Sequence, residues 1–294
     1  MSDGTALLVG QLSMSSQGSA SLTYVDDQHS DLLASMSRVL ITEEPMNPTP
    51  VSPSPDPATW HYKGSITQIP NPNDQKHLSL LDHLRHLLTT EPALESRGLH
   101  GGLTLWLYRN TGKLQEWSRN AQDGWGNTSD TALMRRQTTC ILDFLDGLSE
   151  VATDVREPAP GLVDLVQGSV GLLQLHANQD PASYLQQIST HLVSLLETPW
   201  SSDAQKQNAI QINIAINYVR NWLNAARQDA KQLIALSDNE LQTLRAQMLL
   251  NDMVAQLTNA YVGVSDPATG QELHGVAWIY SHMHSLATID VHPE

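Results

Sequence analysis

The sequence predicts an α+β protein: a small N-terminal antiparallel β-module, half of a sandwich, packed on a larger C-terminal helical bundle. Three observations predict it. Residues 4–69 carry four short stretches of strand character. A proline run from Pro45 to Pro57 separates the third from the fourth. From residue 71 onward, apolar residues recur at steps of three and four, the spacing of one helix face. The expected domains are 1–70 and 71–294.

The first strand candidate is Thr5 to Met14. The second, Ser19 to Val25, alternates Ala20, Leu22 and Tyr24 against Ser and Thr, and Gly18 sits in the turn between the two. Arg38 to Thr42 is the third and Trp60 to Ile66 the fourth. Pro45, Pro48, Pro50, Pro53, Pro55 and Pro57 form a loop or extended polyproline II, because proline cannot donate to a ladder. That loop (45–57) is either a stiff surface connection or a docking ligand for a proline-reading protein partner.

The helical part begins after Asn71-Pro72-Asn73-Asp74. Leu80, Leu81, Leu84, Leu87 and Leu88 mark a helix ending near Thr90, and Glu91-Pro92 starts a short turn that stops at Gly98. Leu103 to Ala121 is read as helix because Leu103, Leu107, Asn110, Leu114, Trp117 and Ala121 keep one register. A hairpin turned at Asn110-Thr111-Gly112 would lose its alternation beyond the glycine. Met134, Thr138, Ile141, Leu145, Leu148 and Ala152 give the next face, ended by Pro158 and Pro160. Leu162 to His176 and Pro181 to Glu197 are expected as a helix pair, with Asp180 the N-cap and Pro181 the first helical residue.

Ser202 to Leu236 is the spine of the bundle. Ala209, Ile212, Ile216, Val219, Leu223, Ala226, Ala230 and Leu233 make its seam, and Ile210, Ile214, Ala215, Tyr218 and Trp222 suggest burial on more than one side of its first half. Ser237-Asp-Asn-Glu240 is a capping box opening a helix to Val262, closed by Gly263. Asp266 to Gly270 is a turn, and Val276 to Ala287 is the last helix.

A chain of 294 residues with 40% hydrophobic and 16% charged residues can bury a sizeable core. Its net charge of -15 argues against a nucleic-acid surface and against anionic membranes. The single cysteine, Cys140, precludes an internal disulfide and fits a reducing compartment. Met1 to Gly10 has no basic segment before its short apolar run, and no apolar stretch approaches the roughly 20 residues of a membrane span. A cytoplasmic protein is expected.

Gly10-Gln-Leu, Gly18-Ser-Ala-Ser-Leu, Arg38-Val-Leu-Ile-Thr-Glu-Glu-Pro, the proline-rich stretch and Tyr62-Lys-Gly resemble the last strands of the extracytoplasmic β-sandwich domain of anti-sigma-K-type factors. The resemblance covers roughly residues 4–66. It implies a sandwich-like module with no catalytic residues of its own. The family's sigma-binding helical domain and membrane helix have no counterpart here, so its output activity is not implied.

Nucleotide and nucleophile motifs are missing: the sequence has no P-loop, no Gly-x-Gly-x-x-Gly and no Gly-x-Ser-x-Gly. Gly101-Gly102 reads as a helix start rather than a phosphate cradle. Trp106 and Trp117 share a face and are expected in the core. Cys140, with no His close in sequence, reads as a small core residue.

Histidine is the over-represented catalytic type, with 12 copies. His83 and His86 are three apart and can face one point on a helix, which makes them the candidate metal ligands. A third ligand must come from another segment, and His282 or His284 are the leading candidates. Zinc or another divalent metal would be the cofactor. The theme resembles DinB-like helical bundles, which hold a metal with three histidines, but their ligand spacing is not reproduced. His176 and His191 fall on apolar faces and read as hydrogen-bonded core histidines.

The first functional expectation is therefore a non-enzymatic interaction or regulatory protein without cofactor, whose β-module or proline loop binds a protein partner. The alternatives are a metal-dependent helical-bundle enzyme using His83 and His86, and a small-ligand sensor with an apolar pocket in the bundle.

Overall fold

The computed structural model describes residues 6–45, 52–74, 76–128, 130–147, 150 and 167–294. The fold is α+β, and the chain divides into two compact units, Met1–Thr67 with Ile289–Glu294, and Gln68–Thr288. The sequence reading places its boundary at residue 70. The return of the last six residues to the first unit does not follow from it.

In the first unit, Asp31 caps the single-turn helix α1 (Leu32–Ser35) by accepting from the Leu33 and Ala34 amides. Strand β1 (Arg38–Thr42) pairs antiparallel with β2 (Trp60–Ser65), Val39 opposite Gly64 and Ile41 opposite Tyr62. The other edge of β2 is taken by β5 (His292–Pro293). A Cβ on Gly64 would stand 2.5 Å from the Asp290 carbonyl, so the close approach of the C-terminal segment requires glycine there.

Two of the four expected strands form, and two do not. Within Thr5 to Met14 and Ser19 to Val25, the described residues follow no ladder, and Thr5 lies outside them. The turn joining the two stretches is present, with the Gly18 amide bonded to the Ser15 carbonyl and Gly18 at φ +76. Alternation supplies a two-faced strand but not its hydrogen-bonding partner. Of the proline loop, Pro48 and Pro50 lie outside the described residues. Ser54 ties its second half to the strands, donating to Glu44 Oε1 and accepting from Trp60 Nε1.

The second unit is helical: α2 (Leu80–Leu88), α3 (Pro92–Glu95), α4 (Leu103–Thr128), α5 (Thr131–Asp146), α6 (Tyr184–Glu197), α7 (Asp203–Ala235), α8 (Asp238–Leu241), α9 (Leu244–Val262) and α10 (Val276–Met283), continued by a 3-10 turn to Ala287. A short hairpin, β3 (Gly263–Ser265) with β4 (Glu272–His274), spans the turn expected at Asp266 to Gly270. The spine α7 packs on α5, α6, α9 and α10. All eight residues of its seam are buried. Its burial is narrower than expected, since Ile210 and Ile214 are exposed. Ser202 and Gln205 close its N-terminus as a capping box.

Segment 103–121 is helix, with Leu103, Leu107, Asn110, Leu114 and Ala121 buried along the anticipated face. Gly102 lies against the end of α2, where a Cβ would meet the Leu87 carbonyl at 2.5 Å. Three expectations need correction. Helix α6 starts at Tyr184 because the Ser183 hydroxyl, not Asp180, caps it at the Gln186 amide. The Ser237 box forms but opens only α8: Thr243 folds back to the Glu240 carbonyl and becomes the N-cap of α9. The helix expected from Leu162 to His176 is absent from 167–176, where only a 3-10 turn at Gln167–Ser169 occurs. Residues 162–166, Leu148, Ala152, Pro158 and Pro160 lie outside the described residues. No helix among those described is long and apolar enough to cross a membrane.

Candidate metal centre

Helix α2 is an amphipathic element capped by Ser79, whose hydroxyl accepts from the Asp82 amide while Asp82 reaches back to Ser79. That register points Leu80, Leu84 and Leu87 into the core and carries His83 in with them. His86, one turn further, is partly exposed at 19% of its side chain. Both histidines therefore project from α2 toward α6, which packs against it.

Helix α6 supplies His191, buried with Ile188, Leu192 and Leu195. The α2–α6 contact brings His83 Nδ1 to 2.9 Å from His191 Nδ1, and stacks His86 edge-on to His191 with ring centres 5.0 Å apart. Glu91 enters as the N-cap of α3. Its Oε1 accepts from the Ala93 amide, which leaves Oε2 turned toward the histidines. Glu91 Oε2 lies 3.3 Å from His86 Nδ1 and 3.9 Å from His191 Nε2. It is buried, and beyond these ion-pair contacts it has no hydrogen bond among the described residues.

A carboxylate oxygen without a donor is expensive to bury, and a cation between it and two imidazoles would satisfy it. His86, Glu91 and His191 each offer one ligand atom, all within 4.8 Å of one another. Tetrahedral zinc with bonds of about 2.0–2.1 Å sets its ligand atoms about 3.3–3.4 Å apart. The Glu91–His86 separation of 3.3 Å meets that spacing, while His191 Nε2, 3.9 Å from Glu91, would have to move inward.

Behind this cluster stands a second layer of polar groups. Asp74, in the turn before α2, accepts at Oδ1 from the Lys76 and Leu78 amides and at Oδ2 from the Ser194 hydroxyl on α6. Burial alone would raise its pKa, but these bonds and the nearby His83 hold it lower than usual. Asp74 Oδ2 is 3.4 Å from His83 Nε2. Burial also lowers His83, and it takes His191 down to about 3, with the charges of His86 and His83 adding to the effect. Burial thus favours the neutral form of both imidazoles, the form a metal requires of its ligands.

The structure places both His83 and His86 against His191, with His86 beside Glu91 and His83 bonded to His191 Nδ1. The third and fourth partners are His191 and Glu91. His282 and His284 are exposed, and each turns Nδ1 to the carbonyl of its own helix four residues back. His191 is a buried histidine with a hydrogen bond, but that bond is to another histidine. His176 is exposed and pairs with Glu150. Cys140 is buried, and burial pushes its thiol up to about 11. Trp106 is buried, and Trp117 packs edge-on against Phe144. A cavity of about 280 Å³ elsewhere in this unit is lined by polar side chains, among them Asp146, Glu150, Ser169, His176 and Asp180.

Comparison with family models, with curated proteins and with solved structures finds no match to this chain.

Proposed function

We propose that the helical unit binds one divalent metal ion, zinc the best fit, through His86, Glu91 and His191, and that the chain is a metal-dependent hydrolytic enzyme. The carrying observation is Glu91 Oε2, buried between two imidazoles with no hydrogen bond among the described residues. Two histidines and one glutamate leave a fourth position for water, and the partial exposure of His86 gives solvent a way to it. Zinc at such a site lowers the pKa of bound water toward about 7 and so supplies a nucleophile at neutral pH. The test is metal content after loading with zinc and removal of loosely held ion. One zinc per chain is expected, lost in Glu91→Gln and in His191→Ala. A wild-type protein that retains none overturns the reading. Turnover of activated esters by the zinc-loaded wild type, absent in Glu91→Gln, tests the hydrolytic part.

A second reading keeps the β-module as a partner-binding element, in line with its likeness to anti-sigma-type sandwich strands. The observation favouring it is the row of exposed apolar side chains at Leu7, Leu8, Val9, Met14, Leu22 and Val25, on a segment with strand patterning and no ladder. A protein whose sedimentation and hydrogen exchange over 6–25 are unchanged by Leu8→Asp, alone and in cell extract, would count against it.

A further inference from the structure

We infer that Asp74 and His83 form an orienting chain that holds His191 with its proton on Nδ1 and its Nε2 lone pair free for an ion. The inference rests on the metal-centre reading for its purpose, but its geometry stands without a metal.

Only one proton can lie between His83 Nδ1 and His191 Nδ1 at 2.9 Å, so one ring donates and the other accepts. With both rings neutral, two arrangements are possible. If His83 donates from Nδ1, neutral His83 has a bare lone pair at Nε2, and that lone pair faces the Asp74 carboxylate at 3.4 Å. Two electron-rich atoms then meet in a buried place. The proton of His191 would at the same time be on Nε2, facing Glu91. If His191 donates instead, His83 carries its proton on Nε2, next to the Asp74 charge, and the bare lone pair passes to His191 Nε2, which faces its carboxylate at the longer distance of 3.9 Å.

Asp74 decides between them because it is fixed. Two backbone amides and the Ser194 hydroxyl hold its oxygens, so it cannot turn away to relieve the first arrangement. Ser194 lies three residues after His191 on α6, so the helix that carries the ligand also braces the carboxylate. The chain then reads Asp74, His83 Nε2–H facing it at 3.4 Å as an electrostatic contact rather than a formed hydrogen bond, and His83 Nδ1 accepting from His191 Nδ1–H. His191 Nε2 is left as a lone pair beside Glu91 Oε2, 3.9 Å away. Two lone pairs side by side are unfavourable unless a cation lies between them. His83, the more buried of the two α2 histidines, is a positioning residue and not a ligand. Partners of this kind typically change metal affinity 10–100-fold when removed.

The experiment uses the full chain, 15N-labelled at histidine, metal-free and then with zinc alone, with zinc affinity measured by competition against a chromophoric chelator. The expected result is a metal-free wild type in which His191 Nε2 resonates as an unprotonated nitrogen and Nδ1 as a protonated one. In Asp74→Asn, the reverse tautomer gains population and zinc binding weakens by about 10–100-fold. Either of two results overturns the chain: wild-type His191 protonated on Nε2, or Asp74→Asn with unchanged tautomer and unchanged zinc affinity. The wild-type spectrum decides even if the variant folds poorly. Failure of the metal reading looks different: the expected tautomer in a wild type that takes up no zinc supports the chain and removes the ion.

Discussion

His83 Nδ1 and His191 Nδ1 lie 2.9 Å apart although 108 positions separate them in the chain. The contact is made by α2 lying on α6, and it gives one turn of α2 two different tasks. His86 faces the carboxylate of Glu91, while His83 backs His191. The division separates ligand loss from ligand misplacement in a single thermal assay.

Zinc should raise the melting temperature of the wild type, and a strong chelator should reverse the rise. Free zinc at 100 times its dissociation constant contributes about 2.7 kcal/mol. His86→Ala should abolish the response, and His83→Ala should reduce it without abolishing it. Calorimetry with and without chelator gives the ranking, and equal responses in the two variants would contradict the assigned roles.

Leu223 lies fully buried on the seam of α7, and Asn224 beside it is exposed. Leu223→Ala should cost about 2–5 kcal/mol through lost transfer energy and the cavity left behind. Asn224→Ala should cost under about 0.5 kcal/mol. Urea unfolding of the two variants checks the face, and the opposite ranking would displace it.

Arg135 on α5 closes the far end of the same helix. Its Nη1 donates to the Ile234 carbonyl at 3.1 Å and its Nη2 to the Leu236 carbonyl at 2.5 Å, while Nε reaches Asp238 at the start of α8. The last carbonyls of a helix have no partner within it, and a guanidinium fork satisfies two at once. Arg135→Met should destabilise by about 1.5–3 kcal/mol, as for hydrogen bonds to a charged group. Arg135→Lys should recover only part of that, since an ammonium cannot span both oxygens. Asp238→Asn should change little, because that partner is exposed.

Asp143 is buried on α5, and its Oδ1 has no hydrogen bond among the described residues. Burial first, and the neighbouring Asp146 second, push its pKa from 3.8 up to about 6. A carboxyl whose folded pKa is raised favours folding while protonated. That stability is fully present below 3.8 and is lost as pH rises through about 6. At about 1.4 kcal/mol per pH unit the loss at pH 7.5 is on the order of 3 kcal/mol. Asp143→Asn should therefore be more stable than wild type at pH 7.5, with the gain shrinking to under about 1 kcal/mol at pH 4. Denaturant melts at the two pH values test the sign, and a gain independent of pH would mean that Asp143 is not the titrating group.

Local regularities of this chain were legible in its sequence. The eight-residue seam of α7, the face of α4 and the capping boxes at Ser202 and Ser237 all depend on residues within a few positions of one another. Helix periodicity and capping geometry act over that distance, so the sequence alone determines them. The three-residue spacing of His83 and His86 on one helix was legible for the same reason. Two further signals were local as well: Glu91 before Pro92 is an N-cap with a free oxygen to offer, and His191 with Ser194 puts a ligand type and a hydroxyl on one face of α6. What these groups would face was not local. Only packing decided which histidine meets His86: α6 lays His191 against it, while His282 and His284 turn to the carbonyls of their own helix. Packing likewise left Ile210 and Ile214 in solvent, gave β2 a C-terminal partner at His292–Pro293, and left residues 6–14 and 19–25 without a ladder. An apolar pattern specifies that a face can be buried, but its cover, its ladder and its third ligand arrive from residues far away, and their choice is a property of the whole tertiary structure.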